Sequence, residues 1–165
     1  MEQLYSEVIL DHSRNPHGRG LDENSDAQSH QMNPMCGDEI TLGVRLAHTP
    51  QGPVIENITW QGQGCSISMA ATSVLVEELV GATVETARRA HSRFVDLMHS
   101  RGAQLDLETA EQLGDAAAFS GVAKYPARIK CALLGWMALH DALSRAQSAQ
   151  QEPHRAEDQG VEIHE

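Results

Sequence analysis

Basic residues are scarce in this sequence. The 165-residue chain carries 12 Lys and Arg against 23 Asp and Glu, a formal net charge of −11. Nucleic-acid binding draws largely on Lys and Arg displacing counterions from phosphates, so this balance disfavours it. Aromatic residues make up only 4%, which also removes a base-stacking platform. An anionic membrane surface is disfavoured on the same electrostatic ground. Long apolar runs are missing too. The longest, Cys131 to Leu139, includes a glycine and falls well short of the roughly 20 residues of a membrane span. The start of the chain, MEQLYSE, has two acids and no basic stretch of the kind that opens a secretory signal. The expectation is a soluble, cytoplasmic protein with no nucleic-acid or membrane partner.

Cysteine is sparse as well, at three positions: Cys36, Cys65 and Cys131. An odd number argues against a disulfide framework, as does a reducing cytoplasm. What is present suffices for a folded domain. Hydrophobic residues are 41% and charged residues 21%, and a chain of this length buries about two thirds of its unfolded surface.

Residues 3–13 carry Leu4, Tyr5, Val8, Ile9 and His12 at helical spacing, and Asn15-Pro16 stops that helix. Residues 14–31 read as a loop, with a short strand near Gln28–Met32. Ile40, Leu42, Val44 and Leu46 alternate with Glu39, Thr41, Gly43 and Arg45, the pattern of a half-buried strand. A turn over His48–Pro53 leads to a returning strand, Val54–Trp60, which Gln61-Gly62-Gln63-Gly64 breaks. Ser66–Val80 predicts a helix ending at Gly81. Thr83 caps a second, with Val84, Ala87, Phe94 and Leu97 on one face. Asp106 caps a third that runs to about Phe119, and Ser120-Gly121 is a break. Pro126 fits the first position of a last helix, whose apolar side carries Ile129, Ala132, Leu133, Trp136, Leu139, His140 and Leu143. From about Ser148 the chain is polar and acidic, the composition of a disordered tail. Helix, strands, then helices implies an α+β fold, a small antiparallel β-sheet with helices packed on one face. The domain spans residues 1–147 and the tail 148–165.

Each cysteine sits in a context with two readings. In Asn33-Pro34-Met35-Cys36-Gly37-Asp38, glycine lets a thiol and a carboxylate face one point, and both are zinc ligands. A plain turn with an Asp capping the next strand reads the same residues. Cys65 stands where Gly62-Gln63-Gly64 enters a helix, at the positive end of its dipole, which favours a thiolate; a small residue at a tight junction fits equally. Cys131 lies in the second turn of the last helix with Arg128 on the same face, or is simply a buried helix cysteine. Together they make a tetrahedral Cys₃Asp set. The long gaps, however, are unlike the paired hooks of structural zinc sites, so only the fold could assemble it. The nine histidines form no H-x-x-x-H or H-E-x-x-H pattern and read mostly as surface residues, with His140 a core residue of the last helix. No phosphate-binding glycine motif is present.

Four pieces of the chain resemble the IscU/SufU family of iron–sulfur assembly proteins: YSEVILDHSRNP (5–16), NPMCGD (33–38), GQGCSISMAATS (62–73) and RIKCALLGWMAL (128–139). The likeness runs from about Leu4 to Ala146. It implies the α+β fold, three ligand cysteines at Cys36, Cys65 and Cys131, and an active-site aspartate at Asp38. Two departures point within the family. Lys130 stands where cluster scaffolds of the IscU type have a His, and Ala123-Lys124-Tyr125-Pro126-Ala127 stands where they carry Leu-Pro-Pro-Val-Lys. Together with Arg128 and extra sequence around 101–122, these resemble the SufU branch of zinc-dependent sulfur acceptors.

That resemblance implies Zn²⁺ on Cys36, Asp38, Cys65 and Cys131, and a SufS-like cysteine desulfurase as partner. On docking, a desulfurase ligand replaces Cys36 on zinc. The freed Cys36 takes persulfide sulfur, Arg128 stabilises it, and downstream iron–sulfur assembly proteins receive it. Two other functions compete: a scaffold that builds a transient iron–sulfur cluster on the same ligands, and a structural zinc domain that only binds and activates the desulfurase.

Overall fold

The computed structural model describes residues 6–35 and 37–163, as backbone alone from residue 150 onward. It begins with α1 (Glu7–Arg14), capped by Ser6, whose hydroxyl accepts the Ile9 N–H. A loop leads to β1 (Ala27–Asn33), β2 (Asp38–Thr49) and β3 (Gly52–Gln63). The three strands form one antiparallel sheet in the order β1-β2-β3. The expected hairpin is therefore present, with strands longer than the alternation alone suggests. Its turn shrinks to Pro50-Gln51 between the paired Thr49 and Gly52. The Gln61-Gly62-Gln63 segment continues β3, with Gly62 paired to Ile40 and Gln63 to Glu39. A register shift between Arg45 and Leu46 breaks the strict alternation of β2.

The inward residues Ile40, Leu42 and Val44 are fully buried, while Glu39, Thr41 and Arg45 on the opposite face remain half-buried. The loop before β1 runs along the outer side. Arg45 there pairs with Asp22 at 2.6 Å, and Gly18 and Gly20 exchange backbone hydrogen bonds with Trp60.

The helical layer comprises α2 (Ser66–Leu79), α3 (Val84–Met98), α4 (Leu107–Leu113) and α5 (Pro126–Ile163). Helix α5 lies across β1 and β2, and α2 packs between α5 and α1. Eleven of the 14 residues of α2 are buried, as expected of a helix enclosed on all sides. Thr83 and Asp106 cap α3 and α4 through their side chains, as the sequence predicts. Phe94 stacks on Trp136 at 4.6 Å and meets Phe119 edge-on at 5.8 Å, tying α3, α5 and the intervening segment together.

Two further sequence expectations differ from the structure. The third helix does not run to Phe119; α4 ends at Leu113, and Gly114–Lys124 forms a 3-10 helix that absorbs the expected break at Ser120-Gly121. Gly114 turns there with φ +58 and ψ −134, a backbone conformation that glycine adopts without strain. His140 is exposed rather than buried, stacked on His91 at 4.5 Å. The backbone of α5 is helical to Ile163. The Ala and Gln residues of 146–151 are favourable in a helix, and the poorer formers Pro153 and Gly160 come only later. Among the described residues no helix is long and apolar enough to cross a membrane.

Candidate metal and sulfur site

Asp38, Cys65 and Cys131 come together. Each offers one ligand atom, and the three atoms lie within 4.8 Å of one another. Three elements supply them: the first residue of β2, the N-cap of α2 and the second turn of α5. Asp38 and Cys131 are buried at 4% and 2% exposure, and Cys65 is half-buried.

Local sequence explains the convergence. Asn33 and Asp38 pair across β1 and β2 and close a four-residue hairpin loop. The Asn33 side chain accepts the Met35 N–H at 3.1 Å, and the Asn33 carbonyl accepts the Gly37 N–H at 2.9 Å. Gly37 takes φ +72, which glycine adopts without strain. Met35 in this loop is 84% exposed. Cys36, the residue between Met35 and Gly37 in sequence, lies outside the described residues.

At the other wall, a Cβ on Gly64 would sit 2.7 Å from both Asp38 Cγ and Ser68 Oγ. A glycine at this position therefore allows the start of α2 to approach the carboxylate. Pro126 opens α5, and Cys131 lies buried in its second turn, its thiol 3.7 Å from the Ala127 carbonyl. Arg128 is half-buried one turn before Cys131, and Lys130 is exposed.

Ser68, one turn into α2, donates its hydroxyl to Asp38 Oδ2 at 2.7 Å and lies 3.5 Å from Cys65 Sγ. Burial opposes ionisation of Asp38. Hydrogen bonds from Ser68, from the Cys131 thiol, and from the Cys65 N–H and thiol outweigh it and hold the carboxyl below its usual range. An ionised carboxylate beside two thiols is the donor set of a zinc or iron–sulfur site. Zn–S bonds of about 2.3 Å and Zn–O bonds of about 2.0–2.2 Å fit donors this close together. The residues present therefore fit the implied ion.

The sequence named Asp38, Cys65 and Cys131 as candidate ligands, and the structure brings these three together. The sequence did not bring out Ser68 or Gly64, whose roles depend on where Asp38 lands. It also passed over a second convergence among the described residues: His12, His17 and Glu77 each offer a donor within 4.8 Å of the others. Their separations along the chain match no ligand motif, so the helical apolar spacing that puts His12 inside was the available signal.

Comparisons with known proteins bear on the family and the fold. The chain is 37% identical over 145 residues to the zinc-dependent sulfurtransferase SufU of Bacillus subtilis, covering 88% of this chain and 92% of that one. It is 35% identical over 150 residues to the iron–sulfur cluster assembly scaffold protein IscU of Streptococcus pyogenes, covering 91% and 89%. The crystal structure of FiSufU from Fervidobacterium islandicum superposes with a TM-score of 0.74 at 33% identity, covering 86% of this chain and 98% of that one. The NifU-like N-terminal domain matches residues 4–148, and with the fold and the converging Asp38, Cys65 and Cys131 in hand, the chain belongs to that family.

Proposed function

We propose that this protein is a zinc-dependent sulfur acceptor in iron–sulfur cluster assembly, taking persulfide sulfur from a SufS-like cysteine desulfurase onto Cys36. The observation that carries the reading is the convergence of Asp38, Cys65 and Cys131 on one point, with a third thiol, Cys36, two residues before Asp38 in the chain. The 37% likeness to a zinc-dependent sulfurtransferase supports it.

Cys36, Asp38, Cys65 and Cys131 would hold the zinc, which when bound keeps its cysteine ligands as thiolates. Asp38 and Cys131, buried in rigid elements, anchor the set. Cys36 is the acceptor, because its neighbours Met35 and Gly37 belong to an exposed hairpin loop. Its thiolate attacks the outer sulfur of the desulfurase persulfide. The enzyme's S–S bond breaks, a new S–S bond forms on Cys36, and the enzyme cysteine leaves as a thiolate, with no net oxidation. Arg128 supplies positive charge near the sulfur being moved. Downstream iron–sulfur assembly proteins in the cytoplasm then receive it.

The experiment is persulfide labelling of the full chain after incubation with desulfurase and cysteine, beside Cys36→Ser. The expected outcome is one added sulfur on the native chain and none on the variant; sulfur on a folded Cys36→Ser chain overturns the assignment. A second reading, a cluster scaffold, draws on the same donor set and on the 35% likeness to an IscU. It predicts a coloured, acid-labile-sulfide product that passes intact to an apo-protein. Activation of the desulfurase by a folded Cys36→Ala variant would instead favour a structural zinc domain that only binds the enzyme.

A further inference from the structure

Four polar side chains meet near the far end of α2, and neither sulfur transfer nor cluster building uses them. His12 Nε2 lies 2.9 Å from Glu77 Oε2 and 3.3 Å from Asp115 Oδ2. His17 Nε2 lies 3.6 Å from the same Glu77 oxygen. Cys65 caps one end of α2 and Glu77 sits in its last turns, so a rise of about 1.5 Å per residue sets the two groups roughly 18 Å apart.

His12, His17 and Glu77 each bring a donor within 4.8 Å of the other two, a spread that fits ligands of one ion, and Asp115 stands against His12 Nε2. Zn–N and Zn–O bonds of about 2.0–2.2 Å put tetrahedral donors roughly 3.3–3.5 Å from each other. The surroundings are also those of a metal-binding histidine. His12 is buried at 3% exposure. Its other ring nitrogen, Nδ1, lies 2.7 Å from Ser73 Oγ, and the same hydroxyl oxygen accepts the His17 backbone N–H at 2.8 Å. One buried side chain thus orients the first ring and fixes the backbone of the second, as groups behind metal ligands do. Two carboxylates converge on one ring nitrogen, which offers at most one N–H. A divalent cation satisfies both, and two neutral imidazoles with two carboxylates balance its charge.

We propose that His12, His17 and Glu77, with Asp115 beside His12, form a second cation site, of nitrogen–oxygen type, suited to Zn²⁺ and separate from the thiolate site. It joins the end of α1 and the following loop to α2 and to the 3-10 helix. An ion held there stabilises the native chain because the unfolded chain lacks the site.

The test uses Co²⁺ on the full, reduced, metal-stripped chain. Two ions per chain are expected, one with a thiolate charge-transfer band and one without. His17→Ala and Glu77→Gln should abolish the ion without the band and leave the other. Both side chains are partly exposed, 51% and 44%, so the fold should survive. A chain that binds only the thiolate-type ion, or a second ion indifferent to both variants, overturns the proposal and leaves an ordinary His–carboxylate ion pair. On the native chain, Zn²⁺ should move the side-chain nitrogen resonances of both His12 and His17; unmoved resonances at saturating Zn²⁺ also overturn it. The charge-transfer band reports the thiolate site by itself, so failure there is distinguishable from failure here.

Discussion

The Ser68 hydroxyl donates to Asp38 Oδ2 at 2.7 Å from a position one helical turn beyond Cys65. This contact links the helix that carries one thiol to the strand that carries the carboxylate. Removing it in Ser68→Ala leaves the buried Asp38 with fewer donors. A hydrogen bond to a charged group contributes about 1.5–3 kcal/mol. The Asp38 carboxyl should therefore titrate higher than in the native chain. Groups that orient metal ligands typically cost 10–100-fold in affinity when removed, so Zn²⁺ affinity should fall by about that factor. Competition against a chelator measures it; unchanged affinity would mean that Asp38 does not depend on Ser68.

Gly64 gives a steric counterpart. An added methyl would lie 2.7 Å from Asp38 Cγ and Ser68 Oγ, inside van der Waals contact. Gly64→Ala should push the start of α2 away from β2 and destabilise the fold by about 1–3 kcal/mol, the usual range for overpacking. Chemical denaturation checks the stability. Chelator competition should reveal a weakened metal site in the same variant.

Much of this was legible in the sequence because the signals are local. Alternation at Ile40–Leu46 gave β2, and Thr83, Asp106 and Pro126 marked helix starts through chemistry within one turn. The candidate donors were legible because thiols are rare here and each stands beside a glycine or a helix end. The 3-10 helix was not: Ala116-Ala117-Ala118 favours an α-helix, and only the fold selects the tighter winding. Likewise His12, His17, Glu77 and Asp115 span 103 residues between His12 and Asp115, so no spacing rule joins them. His140 departs from the expectation because helical phase puts it beside apolar residues, while its ring stacks on the half-buried His91.

Glu78 carries a pH signature. Burial raises its pKa from 4.5 to about 7, against hydrogen bonds from the Ala116 and Asp115 backbone and with help from the nearby Asp115 and Glu77 charges. The native fold therefore favours the protonated acid. Its contribution is fully present below pH 4.5 and is lost as pH rises through about 7. Glu78→Gln keeps an acceptor for the Ala116 N–H, 3.3 Å away in the native chain, without the charge. The variant should be more stable than the native chain at pH 8, with the gap closing at pH 5. Equal pH slopes in denaturant titrations would show that Glu78 ionises freely in the fold.

His91 gives the opposite slope. Burial, then the neighbouring His140 and Arg88 charges, lowers its pKa from 6.5 to about 4. The fold holds the ring neutral, stacked on His140 at 4.5 Å and 18°. Stability from this neutral ring is present above pH 6.5 and is lost as pH falls toward about 4. That loss overlaps the gain from protonating Glu78, so the native chain alone hides both. His91→Phe retains a flat ring against His140 and removes the titration. Between pH 6.5 and 4.5 it should lose less stability than the native chain. In the Glu78→Gln background, where the opposing acid is gone, the same contrast should appear as a net loss of stability in the chain that keeps His91. If His91→Phe and the native chain lose stability in parallel over that window, the acid sensitivity belongs to another group.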